Sequence, residues 1–272
     1  MLVRKSDGTT EPFSEEKYYD SIKYSKVPNN FSPTVFKHLK THLYNGIPTR
    51  EIYHHTSEFL RNSPYPFTKA RYTLKQAIME LGPTGFPFED YVAKLLERLG
   101  YQTLLRQILQ GSCVSHEIDV VATKKGKKLM VEAKFHNGLG LKTEIHVSLY
   151  TKARFDDIKS RYAFTDSLLI TNTKATSEAI SYAVCVGMQL IGWSYPNGES
   201  LRDLVDKYHL YPVTSFTSLP YHYKQQLLDS NIVLCEDICR NHNLLTPFDI
   251  PQKIKETIFQ EAAFLCNSTD IH

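Results

Sequence analysis

The stretch IDVVATKKGKKLMVEAKF, residues 118–135, shapes the interpretation of the whole chain. Two apolar, β-branched runs flank the lysine-rich turn 124–128, a pattern that predicts a β-hairpin. Asp119 lies in the first run. Glu132 and Lys134 lie in the second run and share a strand face about 7 Å apart, because side chains alternate along a strand. Since a buried charge must be paired or bound to a metal, the hairpin indicates a site for a metal ion and a water molecule.

Phosphodiester hydrolysis requires a metal ion that polarises the phosphate, an ionised water and a cation near the developing charge. Asp119 and Glu132 are candidate metal ligands, together with the Ala133 carbonyl, because Mg²⁺ prefers oxygen ligands. Lys134 is the candidate group for orienting the attacking water or stabilising negative charge. The alternative is an ordinary exposed hairpin with a salt bridge.

Positive charge is concentrated around this hairpin. We expect the turn lysines to lie beside the carboxylates, either as solvated surface or as a rim that faces phosphate groups. These lysines and the cations that follow them are Lys124, Lys125, Lys127, Lys128, Lys134, Lys142, Lys152, Arg154, Lys159 and Arg161.

The overall composition is that of an ordinary globular protein. Of the 272 residues, 42% are hydrophobic and 22% are charged, with a net charge of only +3. No apolar run approaches the ~20 residues of a membrane-spanning helix, and the start lacks the apolar stretch of a secretory signal. Five cysteines form an odd set without the spacing of a disulfide framework. We therefore expect a protein of the reducing cytoplasm without a membrane partner.

The sequence divides into three segments, residues 1–82, 83–205 and 206–272. The first begins with a short β-like piece and a turn at Asp7-Gly8 and then becomes mainly helical. The third is a small helical module, expected to serve as a cap or a dimer contact. The helical stretches of these two segments are Glu15–Tyr24, Pro33–Tyr44, Thr49–Arg61, Thr68–Leu81, Ser218–Leu228, Cys235–Asn241 and Pro251–Cys266.

The middle segment has the pattern of an α/β domain. Its predicted order is α-β-β-β-α-β-α-β, a mixed sheet flanked by helices. The predicted elements are a helix from Pro87 to Leu99, strands near Gln102–Ile108, Cys113–Ala122 and Leu129–Phe135, a helix over Val147–Arg161, a strand at Ser167–Thr171, a helix from Thr176 to Gly187 and a strand at Gln189–Trp193.

Several pieces of the middle segment match one known family. The matching pieces are Gly85–Glu89, Leu99–Tyr101, His116–Ala122, Val131–Lys134, Leu169–Thr173, Ala179–Ala183 and Gly187–Leu190. Together they resemble the PD-(D/E)XK nuclease superfamily, and specifically its Mrr-like restriction endonuclease branch, with a restriction-endonuclease-like fold.

This resemblance implies DNA cleavage that depends on Mg²⁺ or Mn²⁺. It implies Asp119, Glu132 and Lys134 as the catalytic set, with the two acids as metal ligands. Glu89 matches a position that assists the metal or the lysine; alternatively, it is an acid that the helix dipole favours in the first turn. The chain departs from many Mrr-like members by having Glu132 in place of glutamine, and by having His116-Glu117 in place of a glycine-rich lead-in. For His116-Glu117 we expect a polar pair at a strand edge.

A second resemblance covers the first segment. Residues 3–8, 11–17 and 46–52 resemble the ATP-cone, a small regulatory nucleotide-binding domain. This implies binding of ATP or dATP as an effector. The residues that match the family's binding positions are Val3 near the base, Lys5 and Lys17 at the phosphates, and Thr49. Ser6 stands where the family has a second basic residue, and Arg4 would compensate for it. The alternative is that these are plain surface residues. No GxxxxGK[ST] motif occurs, so we expect regulation by the nucleotide and not its hydrolysis.

Two histidine and cysteine groupings lack the spacing of a metal site. His38 and His42 share a helix face without the glutamate of an HExxH motif, and Cys235 and Cys239 form no CxxC pair.

Together these features predict a homo-oligomeric, metal-dependent DNA endonuclease that responds to a nucleotide. Two alternatives remain open: a nucleotide-sensing DNA-binding regulator that does not cleave, and a nucleotide-gated assembly module without nucleic acid.

Overall fold

The computed structural model describes residues 1–138 and 140–266. The chain forms two compact units, one built from Met1–Ala77 together with the chain from Tyr211 onward, the other from Ile78–Leu210. These limits fall a few residues from the segment boundaries predicted near residues 82 and 205. The sequence analysis did not predict that the first and third segments form one unit. In the described ranges no helix is both long and apolar enough to span a membrane.

The N-terminal region starts with a small sheet. Strand β1 (Leu2–Arg4) pairs antiparallel with β2 (Thr10–Pro12), which confirms the predicted β-like start and turn, and parallel with β3 (Ile47–Pro48), which the sequence analysis missed. Its helices are α1 (Glu15–Lys23), α2 (Ser32–Lys40), α3 (Thr49–Arg61), α4 (Thr68–Tyr72) and α5 (Leu74–Met79). The core beneath them contains Val3, Ile22, Leu39, Ile47 and Leu60.

The second unit contains a five-stranded mixed sheet with the order β10-β8-β6-β5-β4. Strands β4, β5 and β6 are antiparallel, whereas β6, β8 and β10 are parallel. The strands are β4 (Gln102–Gln110), β5 (Ser115–Lys124), β6 (Lys127–Lys134), β8 (Asp166–Thr171) and β10 (Gln189–Ile191), with a separate parallel pair of β7 (Lys142–Thr143) and β9 (Lys174–Ala175).

Helices flank this sheet in the order that the sequence predicts. Helix α6 packs against β4, β5 and β6, helix α7 packs against β8 and α8, and helix α8 packs against β10. The helices are α6 (Phe86–Arg98), α7 (Ile145–Tyr162), α8 (Ser177–Cys185) and α9 (Leu201–Tyr208). The predicted α/β architecture with a mixed sheet is therefore confirmed. The bounds of the predicted elements differ by a few residues, and the sequence analysis missed β7, β9 and α9.

The C-terminal part is helical, as predicted, with α10 (Tyr221–Asp229), α11 (Cys235–Arg240) and α12 (Gln252–Cys266). Buried Glu261 of α12 accepts hydrogen bonds from the main chain and hydroxyls of Thr217 and Ser218. A disulfide joins Cys239 to Cys266. The sequence analysis did not predict this bond, because partners 27 residues apart are brought together by helix packing that cysteine spacing does not encode.

Candidate active site

A cavity of about 330 Å³ lies where α6 meets the ends of the central strands. It brings together all four side chains that the sequence analysis selected in this domain. Its lining consists of Pro83, Gly85, Glu89, Asp119, Glu132, Ala133, Lys134, Phe135 and Asn137. The close packing of the cavity wall requires glycine at position 82, because a Cβ there would lie 2.7 Å from the ring of Phe135.

The hairpin opens at Asp119. The β5–β6 ladder pairs Val120 with Val131 and ends there, although the same register would next oppose Asp119 and Glu132. Instead, the Asp119 Oδ2 atom accepts a hydrogen bond of 2.7 Å from the main-chain N–H of Ala133. The carboxylate thus takes the place of a main-chain acceptor, which directs Asp119 towards the cavity beside Glu132.

The neighbouring ladder is also interrupted at this level. Strand β4 pairs with β5 through Leu105 and Gln107, but Arg106, which would oppose Asp119, is not paired. Arg106 has a φ of 52°, in the left-handed region that costs a non-glycine residue on the order of 1 kcal/mol. Its guanidinium donates to Glu89 Oε2 at 3.0 Å and to Asp90 Oδ1 at 2.8 Å. The sequence analysis did not select Arg106, because nothing in a strand-like run signals a left-handed residue.

Glu132 is paired with an arginine from α7. Arg154 Nη1 donates to Glu132 Oε2, and the two side chains are 8% and 15% exposed. Desolvation, and after it the nearby charge of Asp119, raises the pKa of Glu132 to about 7 against the opposing effects of Arg154 and Lys134. The sequence analysis named Arg154 only among the cations that follow the hairpin.

The other two acids of the cavity are also shifted towards the neutral form. Desolvation raises the pKa of Asp119, and the hydrogen bond from Ala133 opposes this shift. Desolvation likewise raises the pKa of Glu89, which the hydrogen bond from Arg106 lowers and the charge of Asp119 raises. Glu89 lies in the first turn of α6 and also lines the cavity, so both descriptions from the sequence analysis fit its position.

Lys134 supplies positive charge at the cavity. It lies two residues beyond Glu132 on β6, where it stands in register with Thr171 of β8. Within the part of the chain that the structure describes, its ammonium makes no hydrogen bond or ion pair at the distances of a direct contact. Its charge is nevertheless close enough to favour the ionised forms of Asp119 and Glu132.

The lysine-rich turn is not part of this site, contrary to expectation. Lys128 lies six residues before Lys134 on β6, about 20 Å away at ~3.3 Å per residue. The Lys124 ammonium donates to the Leu99 carbonyl at 2.5 Å, and that of Lys128 donates to the Tyr162 carbonyl at 3.1 Å. The prediction that the turn lysines lie beside the carboxylates was wrong. Glu132 and Lys134 lie at the end of β6 that is farthest from the turn.

A further acid, Asp157 of α7, holds the β4–β5 turn. It accepts hydrogen bonds from His116 Nε2 at 2.8 Å and from the main-chain N–H groups of Cys113 at 2.8 Å and Val114 at 3.3 Å. These donors, the His116 hydrogen bond first, lower the pKa of Asp157 to about 2. A Cβ at Gly111 would lie 2.0 Å from Asp157 Oδ2. His116, expected only as part of a polar edge pair, therefore ties its strand to α7.

The oxygen donors of the cavity fit a hard divalent cation. Asp119 and Glu132 each have one carboxylate oxygen engaged by a protein donor, and Ala133 lines the same cavity. Raised pKa values indicate anions that a cation would stabilise. Over the described ranges, no cluster of three or more His, Cys, Asp or Glu side chains has the arrangement of a metal site. A cation here would thus depend on two carboxylates, a carbonyl and water, which is common for Mg²⁺.

The residues selected in the first unit also converge in part. Glu11 Oε2 lies 2.6 Å from the Lys5 ammonium and 3.2 Å from that of Lys17, so the two lysines meet on one carboxylate. Thr49 begins α3, directly after β3. Because β1 and β3 are parallel, Lys5 and Thr49 follow strand ends at the same edge. Exposed Arg4 and buried Val3 belong to β1, and Val3 is part of the hydrophobic core.

Comparisons with known proteins give two family matches. Residues 83–204 match the model described as Restriction endonuclease, and residues 211–266 match the one described as AF1548-like, C-terminal. An uncharacterized protein of Archaeoglobus fulgidus is 41% identical over 147 residues, which are 54% of this chain and 83% of that protein. The crystal structure of the protein of unknown function AF1548 is similar with a TM-score of 0.58 and 35% identity, over 67% of this chain and 98% of that one.

Proposed function

The chain belongs to the AF1548-like family and carries a restriction endonuclease domain, and from this premise we propose that it is a metal-dependent DNA endonuclease regulated by ATP or dATP. The observation that carries the proposal is the cavity at which Glu89, Asp119, Glu132 and Lys134 meet. Three desolvated carboxylates beside a lysine that has no direct partner in the described ranges are costly for folding and useful for phosphodiester hydrolysis.

Each residue has a defined part in the proposed reaction. Asp119 and Glu132 would hold a Mg²⁺ or Mn²⁺ ion, which would polarise the phosphate and acidify water. Lys134 stabilises the negative charge that develops on the phosphate or orients the attacking water. Glu89, held in place by Arg106, assists at the cavity edge.

Plasmid cleavage in the presence of Mg²⁺ or Mn²⁺ tests this function. We expect the wild-type protein to nick or linearise plasmid DNA, and Lys134→Ala to lose at least about a hundredfold in rate, the scale of removing one charge-stabilising group. Lys127→Ala is the matched control, since Lys127 is an exposed lysine at the opposite end of β6. DNA binding without cleavage, or equal rates for Lys134→Ala and wild type, would contradict the proposal and favour a DNA-binding regulator.

The proposed effector site lies in the first unit. Lys5 and Lys17 bind the triphosphate after releasing Glu11, Thr49 and Arg4 add polar contacts, and the nucleotide favours one homo-oligomeric state over another. Isothermal titration with dATP, followed by light scattering with and without it, tests this part. No binding, or binding unchanged in a Lys5→Ala/Lys17→Ala double variant, would remove the effector site and leave the nuclease proposal intact.

A further inference from the structure

The carboxylate of Glu132 is already neutralised by a cation from the protein itself. Arg154 Nη1 donates to Glu132 Oε2, and both side chains are more than four-fifths buried. A buried ion pair of this kind screens each partner from water and from other ions. An incoming divalent cation at Glu132 would therefore meet a guanidinium already at its ligand.

Arg154 is less fully bonded than the other arginine of the site. Arg106 uses two guanidinium nitrogens on two carboxylates, Glu89 and Asp90. In Arg154 the buried Nε–H has no hydrogen-bond partner among the residues that the structure describes. An unsatisfied buried donor is unfavourable, so the pairing with Glu132 does not fully satisfy this guanidinium.

An alternative contact lies next to Arg154 on the same helix. The guanidinium carbon is 5.1 Å from the ring centroid of Tyr150, one helical turn earlier, and this ring is 59% exposed. A guanidinium that leaves Glu132 can retain a cation–π contact while moving towards solvent. Arg154 can therefore release Glu132 and still keep its contact with the Tyr150 ring.

We propose that Arg154 is an internal counter-ion which a divalent cation must displace from Glu132, so that Arg154 sets the metal affinity of the site. This inference rests on the proposed function, because it takes Glu132 as a metal ligand. Like charges repel, so a divalent ion and a guanidinium cannot both stay at one desolvated carboxylate without cost. The ion pair keeps the acidic cavity neutralised until a cation arrives.

Mn²⁺ binding followed by electron paramagnetic resonance at pH 8 tests the inference. We expect Arg154→Gln to bind Mn²⁺ about tenfold more tightly than wild type, Arg154→Lys to stay close to wild type because the charge remains, and Lys159→Gln, a charge removal on the same helix, to have no effect. Folding of each variant is checked by circular dichroism. A folded Arg154→Gln with equal or weaker Mn²⁺ affinity, while Asp119→Asn abolishes binding, would overturn the counter-ion role alone.

A measurement on the wild-type chain avoids dependence on one variant. The ¹⁵N guanidinium signal of Arg154, assigned with Arg154→Lys, should shift on addition of Mg²⁺ as the ion pair breaks. A signal that does not move although Mg²⁺ binds would overturn the inference. If Asp119→Asn binds Mn²⁺ as tightly as the wild type, the proposed metal site itself fails, and the inference fails with it.

Discussion

Glu132 in the second unit and Glu11 in the first are both glutamates contacted by cationic side chains, yet their pKa values shift in opposite directions. Glu132, paired with Arg154 and 15% exposed, has its pKa raised to about 7, with desolvation as the largest cause. Glu11, between the Lys5 and Lys17 ammonium groups and 27% exposed, has its pKa lowered, with the hydrogen bond from Lys5 as the largest cause. A cation beside a carboxylate therefore does not by itself make an ordinary salt bridge.

The difference lies in what surrounds the pair. At Glu132 the second anion, Asp119, shares the cavity, and burial removes both carboxylates from much of their contact with water. At Glu11 two lysines outnumber one carboxylate at the surface. The first arrangement gathers desolvated carboxylates around one paired arginine. The second places two lysine ammonium groups on one carboxylate at the surface.

The largest expected effect that tests this contrast is on stability without metal. Arg154→Met should lower the free energy of unfolding at pH 8 by about 3–5 kcal/mol, because it leaves a buried, unpaired carboxylate. Lys17→Met at the exposed cluster should cost less than about 1 kcal/mol. Urea denaturation of both variants measures the two values, and similar losses would contradict the contrast.

A control isolates the buried charge as the cause. The double variant Glu132→Met/Arg154→Met should recover most of the stability that Arg154→Met loses, since no unpaired charge remains. If the double variant is as unstable as the single one, packing and not charge explains the loss.

Asp157 sharpens the contrast, because it is only 11% exposed and yet has its pKa lowered to about 2. The hydrogen-bond donors around it, His116 first, lower its pKa by more than burial raises it. Gly111→Ala would place a Cβ 2.0 Å from Asp157 Oδ2 and should cost about 1–3 kcal/mol of unfolding free energy. Gly85→Ala, whose Cβ would meet its nearest neighbour at 3.5 Å, is the control for thermal denaturation.

The pH dependence of metal binding should follow Glu132. A carboxyl group whose pKa is raised to about 7 is protonated below that pH and must lose its proton to bind a cation. The Mn²⁺ affinity should therefore fall as pH decreases below about 7, by up to about tenfold per pH unit. The midpoint of activity should move to lower pH as the Mn²⁺ concentration increases. An affinity that is constant between pH 6 and 8 would show that Glu132 is not a ligand.

The smallest effect concerns Glu11. Glu11→Gln removes the charge that occupies Lys5 and Lys17, so dATP should bind about threefold more tightly. Stability should change little, since solvent screens this surface cluster. Titration calorimetry measures the affinity, and Glu15→Gln on α1 is the control. Weaker dATP binding by Glu11→Gln would mean that Glu11 supports the nucleotide instead of competing with it.

Much of the fold follows from local pattern. Alternating and continuous apolar runs predicted β4, β5, β6 and β8, and helical spacing predicted α6 and α7 within a few residues. The side-chain alternation of β6 also predicted that Glu132 and Lys134 share a face, and both line the cavity with Asp119. Strand periodicity is local, so a single sequence contains it.

The missed features depend on contacts between distant residues. Arg106, Arg154 and Asp157 act through partners 16 to 44 residues away, and no local motif links them to those partners. The left-handed conformation of Arg106 and the disulfide of Cys239 have the same origin in tertiary packing. The position of the lysine turn was mistaken because proximity in sequence was taken for proximity to the carboxylates, although a strand separates them.

The central claim is that Asp119 and Glu132 hold one divalent cation beside Lys134. A crystal soaked in Mn²⁺, with anomalous difference density recorded, tests it most directly. The account predicts a peak in the cavity at about 2.0–2.3 Å from an oxygen of each carboxylate, with Arg154 moved away from Glu132. Density at another site, with this cavity empty and the Arg154–Glu132 pair intact at saturating Mn²⁺, would contradict it.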